Sequence, residues 1–169
     1  EILFRHGGTL DKFLTARIMG FFGDPVPQAD HAARAVRAAL EMRARLRDLR
    51  GTWFAGAEAV ELQVGIHTGY ATVGNVGSEH RFDYTAIGKN VSLASSLELE
   101  ARAGQVLVSA KTYEAVKDAF DVELQTVSLK GLSRPITAYA VIGERSTTAA
   151  PTAALAPTMK PVHISASRD

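Results

Sequence analysis

Between Ala29 and Arg50 the residues Ala32, Ala35, Ala39, Met42, Leu46 and Leu49 recur at alternating spacings of three and four, and Val36 and Leu40 widen the row. Only an α-helix lays such a row along one side, and the apolar side must then be covered by other elements. Gly51 is expected to end this helix. Its polar side carries Arg34, Arg37, Arg43, Arg45 and Arg47, read as a solvated surface in preference to a phosphate-binding face. The cover comes next: from Val60 to Ile66 the apolar Val60, Leu62, Val64 and Ile66 alternate with Glu61, Gln63 and Gly65, the period of a strand.

The rest of the chain is punctuated in the same way. Glu1 to His6 reads as the end of a helix stopped at Gly7-Gly8, and the opening lacks an initiator Met, so a preceding segment is expected. Thr9 to Phe13 and Ile18 to Phe22 form a hairpin closed by Asp24-Pro25-Val26-Pro27. Tyr70 to Val76 and Phe82 to Ile87, with glycines at 69, 74 and 77, predict a second hairpin that protrudes as an arm over residues 69 to 88. Helices are expected over Lys89 to Ala103 and Lys111 to Ala119, and strands over Gln105 to Ser109, Val122 to Leu129 and Ile136 to Ile142. This order predicts an α+β fold, a ferredoxin-like α/β sandwich with one mixed, mostly antiparallel sheet covered by helices. It places one domain over residues 1–143. The Ala, Thr and Pro-rich residues 144–169 read as a disordered tail or linker, because they bury too little apolar surface to offset their ordering entropy.

Composition narrows the partners. The 169 residues are 46% hydrophobic and 22% charged, enough for a real core. Nineteen Lys and Arg against eighteen Asp and Glu leave a charge of +1, which gives no bulk attraction to nucleic acid or an anionic membrane. The absence of cysteine excludes disulfides, thiolate metal sites and cysteine nucleophiles, and fits a cytoplasmic setting. No apolar run reaches the roughly 18 residues of a membrane span, and no signal peptide opens the chain. The histidines at 6, 31, 67, 80 and 163 lack metal-ligand spacing.

Four segments then stand out: Gly-Gly-Thr-Leu-Asp-Lys-Phe from Gly7, Ile-Met-Gly-Phe-Phe-Gly-Asp-Pro from Ile18, Val-Gly-Ile-His-Thr-Gly from Val64, and Phe-Asp-Tyr-Thr-Ala-Ile-Gly from Phe82. With Val91 to Glu100, Gly104 to Val108, Leu129-Lys130-Gly131 and Tyr139, this series resembles the class III adenylate and guanylate cyclase catalytic domain. The resemblance implies conversion of a nucleoside triphosphate, here ATP, into a 3′,5′-cyclic monophosphate and pyrophosphate. It also implies a head-to-tail dimer with its sites at the interface, and a requirement for Mg²⁺ or Mn²⁺. Lys12 matches the family's purine-contacting lysine, Thr85 the position that reads the base edge, and Lys130 the lysine that holds the triphosphate. Lysine with threonine there suggests adenine over guanine.

The same resemblance exposes departures. Where the family reads Gly-Asp, with that Asp binding metal, this chain has Thr15-Ala16, and Arg17 follows. Ala16 cannot ligate a cation. The family's other metal-binding Asp belongs to an opening strand that would precede Glu1, and its loss would leave a central gap to be filled by a domain-swapped or intermolecular partner. Ser92 and Ser96 stand at the positions of the Asn and Arg that stabilise the transition state. Losing one preorganised donor typically costs ~10²–10³ in rate, so weak or absent turnover is expected.

Three functions follow from these readings. The first is a cyclase-like domain of a cytoplasmic, bacterial-type signalling protein with a crippled site. The second is a pseudoenzyme pairing with itself, or as a heterodimer with an active cyclase half that donates the metal carboxylates. The third is a pocket turned to phosphoester or ester hydrolysis through Ser92 or Ser96, which requires a base that the spacing does not supply.

Overall fold

A computed structural model describes residues 1–53, 60–78, 81–130 and 132–145. The chain runs α1 (Ile2–Arg5), β1 (Thr9–Leu14), β2 (Arg17–Phe21), α2 (His31–Trp53), β3 (Val64–Ile66), β4 (Thr72–Ser78), β5 (Arg81–Ile87), α3 (Lys89–Glu100), β6 (Val106–Ser109), α4 (Ala110–Val116), β7 (Phe120–Val127) and β8 (Ile136–Glu144). Among these residues the main sheet has four strands in the order β3-β6-β8-β7. β3 and β6 are parallel and the other two pairings antiparallel, the mixed sheet of an α+β fold. The hairpins β1–β2 and β4–β5 form separate two-stranded ladders.

The apolar row of α2 does what its spacing requires. Ala32, Val36 and Ala39 pack with Val106, Val108, Val141, Val116 and Phe120, which places α2 and α4 on one face of the sheet. On the other face Leu97 and Ala101, at the end of α3, meet Leu107, Val127, Leu129, Ala138 and Ala140. The alternation of β6 and β8 thus serves two cores at once, and α3 is pressed against β3 so closely that Gly65 has no room for a side chain. α3 reaches the first of the two hairpins from this position.

Three expectations are corrected. The α2 backbone continues through Gly51 to Trp53. The strand expected from Val60 begins only at Val64, because Arg50 donates from Nε and Nη2 to the Val60 carbonyl oxygen at 3.0 and 2.8 Å and its guanidinium pairs with Glu61. Nor is the arginine side of α2 simply solvated: Arg37 reaches Glu144 at 2.8 Å, Arg43 donates to the Ile142 carbonyl at 2.9 Å, and Arg34 pairs with Asp30 at 2.7 Å. At the C-terminal boundary β8 runs through Gly143 to Glu144, and Arg145 N–H donates to the Ala119 carbonyl at 2.8 Å. The tail reading for 146–169 and the tip of the second hairpin at 79–80 lie outside the described residues.

Candidate functional site

β1 carries an irregularity that builds the site. Leu10 pairs with Gly20 and Lys12 with Met19, which leaves Asp11 as an extra residue without a partner on β2. Such a bulge re-aims side chains, and here Asp11 turns toward β5. Its carboxylate is fully buried. Oδ2 accepts from the Thr85 hydroxyl at 2.8 Å and from the Ala86 N–H at 3.0 Å. Oδ1 faces the Lys12 ammonium at 3.1 Å. Burial works against its charge, but the Ala86 amide, the Thr85 hydroxyl and Lys12 together hold the carboxyl below its ordinary value.

Lys12 Nζ also donates to Thr85 Oγ1 at 2.9 Å. Lys12 and Thr85, singled out separately in the sequence, therefore meet on the wall of one open cleft of about 490 Å³, lined also by Met19, Asp83, Val91 and Ser92. The β5 hairpin is fastened beside this wall from the opposite side: the Tyr84 hydroxyl donates to Asp24, while Thr9 Oγ1 donates to the Asp24 carbonyl at 2.6 Å.

The other expected residues are placed differently. Ser92, in the first turns of α3, is exposed on the cleft. Ser96 is not on the cleft wall, and its hydroxyl donates to the Ser92 carbonyl at 3.0 Å. Lys130 is exposed beyond β7 and does not reach the cleft. Ala16 sits exposed at the tip of the first hairpin, and Thr15 beside it adopts φ of 53°, the left-handed conformation that a β-branched residue rarely takes. Arg17 turns to α3, its Nε 3.6 Å from Glu98 Oε1.

A second polar cluster, which spacing did not reveal, surrounds His67. Nδ1 lies 2.8 Å from Ser109 Oγ and Nε2 3.1 Å from Asn90 Oδ1. Asn90 Nδ2 donates in turn to the Tyr70 carbonyl at 2.7 Å. Burial lowers the His67 pKa and keeps the ring neutral. Both ring nitrogens are thus engaged away from Ser92 and Ser96, and nothing in this geometry supplies the base that the hydrolase reading needs.

A divalent cation would need hard carboxylate oxygens grouped around one point. Ala16 offers none, Arg17 brings a positive charge to the same turn, and among the described residues no three His, Cys, Asp or Glu side chains are grouped to hold an ion. The residues present do not fit the group.

The model of the adenylate and guanylate cyclase catalytic domain matches residues 13–143. The chain belongs to this family. The cyclase domain is 35% identical to adenylate cyclase 1 of Rhizobium meliloti (strain 1021) over 147 residues, which cover 85% of this chain and 22% of that protein's length. It resembles the crystal structure of the adenylyl cyclase CyaB from P. aeruginosa with a TM-score of 0.80 and 42% identity, over 86% of this chain and 76% of that one. The guanylyl cyclase Cya2 gives a TM-score of 0.80 and 35% identity, over 88% of this chain and 76% of that one. An adenylyl and a guanylyl cyclase thus share this domain's fold equally well, and base preference has to be argued from side chains.

Proposed function

We propose that this cyclase domain binds a purine nucleoside triphosphate, ATP in preference to GTP, and turns it over weakly or not at all. The observation that carries the reading is the union of Lys12 and Thr85 at 2.9 Å on one cleft, set against serines at 92 and 96 and alanine at 16. Cyclisation has to quench charge growing on the phosphate oxygens and to raise the nucleophilicity of a ribose hydroxyl. Amide, guanidinium and metal groups do this in the family, and short hydroxyls reach neither as far nor with charge. Calorimetric titration with ATP, alongside an assay for cyclic AMP with Mn²⁺, tests both halves. Expected are measurable heat at millimolar nucleotide and a rate at least ~10²-fold below that of an intact cyclase domain. Brisk cyclic AMP formation would overturn the second half, and no heat the first.

A second reading has its own support. The two hairpins leave Phe13 at 72% exposure and Phe82 at 62%, with Ile18 and Ile87 also exposed, and neither β2 nor β3 has a second strand partner among the described residues. Apolar side chains on two adjoining hairpins fit contact with another cyclase half, its own copy or an active one. In such a pair the missing carboxylates would come from the other half. Sedimentation of the domain alone and mixed with an intact cyclase domain tests this: a monomer in both cases would end it.

A further inference from the structure

We propose that Asp11 is a positioning residue that sets base preference by fixing which way the Thr85 hydroxyl points. The inference rests on the nucleotide reading above and deepens it.

The hydrogen-bond direction follows from chemistry alone. A lysine ammonium has protons and no acceptor, and an ionised carboxylate has acceptors and no proton. Thr85 Oγ1 lies between the two, 2.9 Å from Lys12 Nζ and 2.8 Å from Asp11 Oδ2. Its one proton therefore goes to Asp11, one lone pair accepts from Lys12, and what remains is a single lone pair. Toward the cleft, Thr85 is an acceptor only. The carboxylate cannot reverse this by taking a proton itself, since its Oδ2 already accepts from the Ala86 N–H at 3.0 Å and its Oδ1 faces Lys12 at 3.1 Å. Lys12 keeps a proton for the ligand beyond those directed at Thr85 and Asp11.

The wall thus offers one acceptor beside one donor, the complement of a ring nitrogen next to an exocyclic amine. A 6-aminopurine presents that edge; a 6-oxopurine presents an oxygen and a ring N–H in the reverse order. A site built around a fixed hydrogen-bond direction discriminates strongly against the mismatched edge, because a buried polar group is then left unpaired. The bulge explains why the device exists in this chain: without the extra residue in β1, Asp11 would not turn toward β5.

The test uses ATP and ITP, which share ribose and triphosphate and differ at the edge in question. With the unaltered domain at fixed Mg²⁺, calorimetry is expected to show ATP bound at least ~10-fold more tightly than ITP. Thr85→Val removes the held hydroxyl and should bring the two affinities together. Asp11→Leu removes the acceptor that takes the Thr85 proton and frees the hydroxyl to donate toward the cleft, so the ratio should move toward ITP by ~5-fold or more. In the Thr85→Val background the same Asp11→Leu change should leave the ratio where it is. A residue that only supported the fold would weaken both nucleotides alike. ITP bound as tightly as ATP by the unaltered domain, a Thr85→Val protein that keeps the ATP preference, or an Asp11→Leu protein with an unchanged ratio would each overturn the proposal. Failure to bind either nucleotide would overturn the nucleotide reading and this inference with it. Should Asp11→Leu not fold by circular dichroism, Asp11→Ala removes the same acceptor and is read against the same outcomes.

Discussion

One hairpin carries two unlike regions. At its bulge Asp11, Lys12 and the facing Thr85 form a closed set of short polar contacts around a buried carboxylate. At its tip Thr15, Ala16 and Arg17 are exposed, one in a disfavoured conformation and one drawn sideways to α3. Unselected drift would erode both ends of the hairpin together. At the bulge the Thr85 hydroxyl is held between Lys12 and Asp11, whereas Ser92 and Ser96 of α3 offer only short, uncharged hydroxyls. On the function proposed above, binding and chemistry have come apart between this hairpin and α3.

The largest expected effect is a rescue that would sharpen this contrast. Ser92→Asn with Ser96→Arg returns an amide and a guanidinium to α3 and leaves the base wall untouched. Paired with a cyclase half that carries the metal carboxylates, the double variant should form cyclic nucleotide at least ~10²-fold faster than the unaltered chain in the same mixture. An unchanged rate would mean that these serines are not what limits the chemistry, and the contrast would lose its catalytic half.

Next in size is the support beneath the cleft. A Cβ at Gly65 would fall 2.2 Å from the Glu98 amide nitrogen and 2.3 Å from the Ala94 carbonyl oxygen, both backbone atoms of α3. Gly65→Ala must push α3 from β3, at a cost of about 3 kcal/mol in urea unfolding. A loss below about 1 kcal/mol would mean that the helix bearing Ser92 is not seated as described.

Much of this architecture was legible because it is written in periodicity. The row Ala32, Val36, Ala39 and the alternation of β6 and β8 report burial directly, and Gly7 stopped α1 with φ of 78° as a left-handed terminus should. Lys12 and Thr85 were found through motif likeness. Asp11 was not, since an acid beside a lysine in a half-polar strand reads as surface; only its unpaired register position and its contact with the Ala86 amide of β5 show it buried. Gly51 misled for a related reason. A glycine inside a helix costs only about 1 kcal/mol against alanine, which packing elsewhere along the helix overrides, and α2 runs on to Trp53. The His67 cluster escaped because its members lie just past β3 and on α3, β6 and α4, and no local pattern joins them.

At the tip, Thr15→Gly should stabilise the domain by about 0.5–1 kcal/mol, because it removes the left-handed penalty of a β-branched residue and gives back part as glycine's greater unfolded freedom. Destabilisation in urea would mean that the Thr15 side chain makes contacts that outweigh its backbone cost. The turn would then be a built feature, and the contrast between the two ends of the hairpin would narrow.

The smallest expected effect decides what Arg17 is for. Its contact with Glu98 is 3.6 Å long, and half of the arginine side chain is exposed. A pair so placed is screened by water and salt and is worth no more than about 0.5 kcal/mol. Arg17→Ala should therefore leave stability within that margin, and the difference should vanish in about 0.5 M NaCl. If it does, the arginine contributes charge at the tip without holding the hairpin to α3. Nucleotide affinity should then fall with salt less steeply in Arg17→Ala than in the unaltered domain, since one cation near the phosphate end is gone. A loss of stability well above 0.5 kcal/mol that survives added salt would instead make Arg17 a clamp between hairpin and helix. In that case both ends of the β1–β2 hairpin would be built for structure, and on the proposed function only the serines of α3 would mark where catalytic groups are replaced.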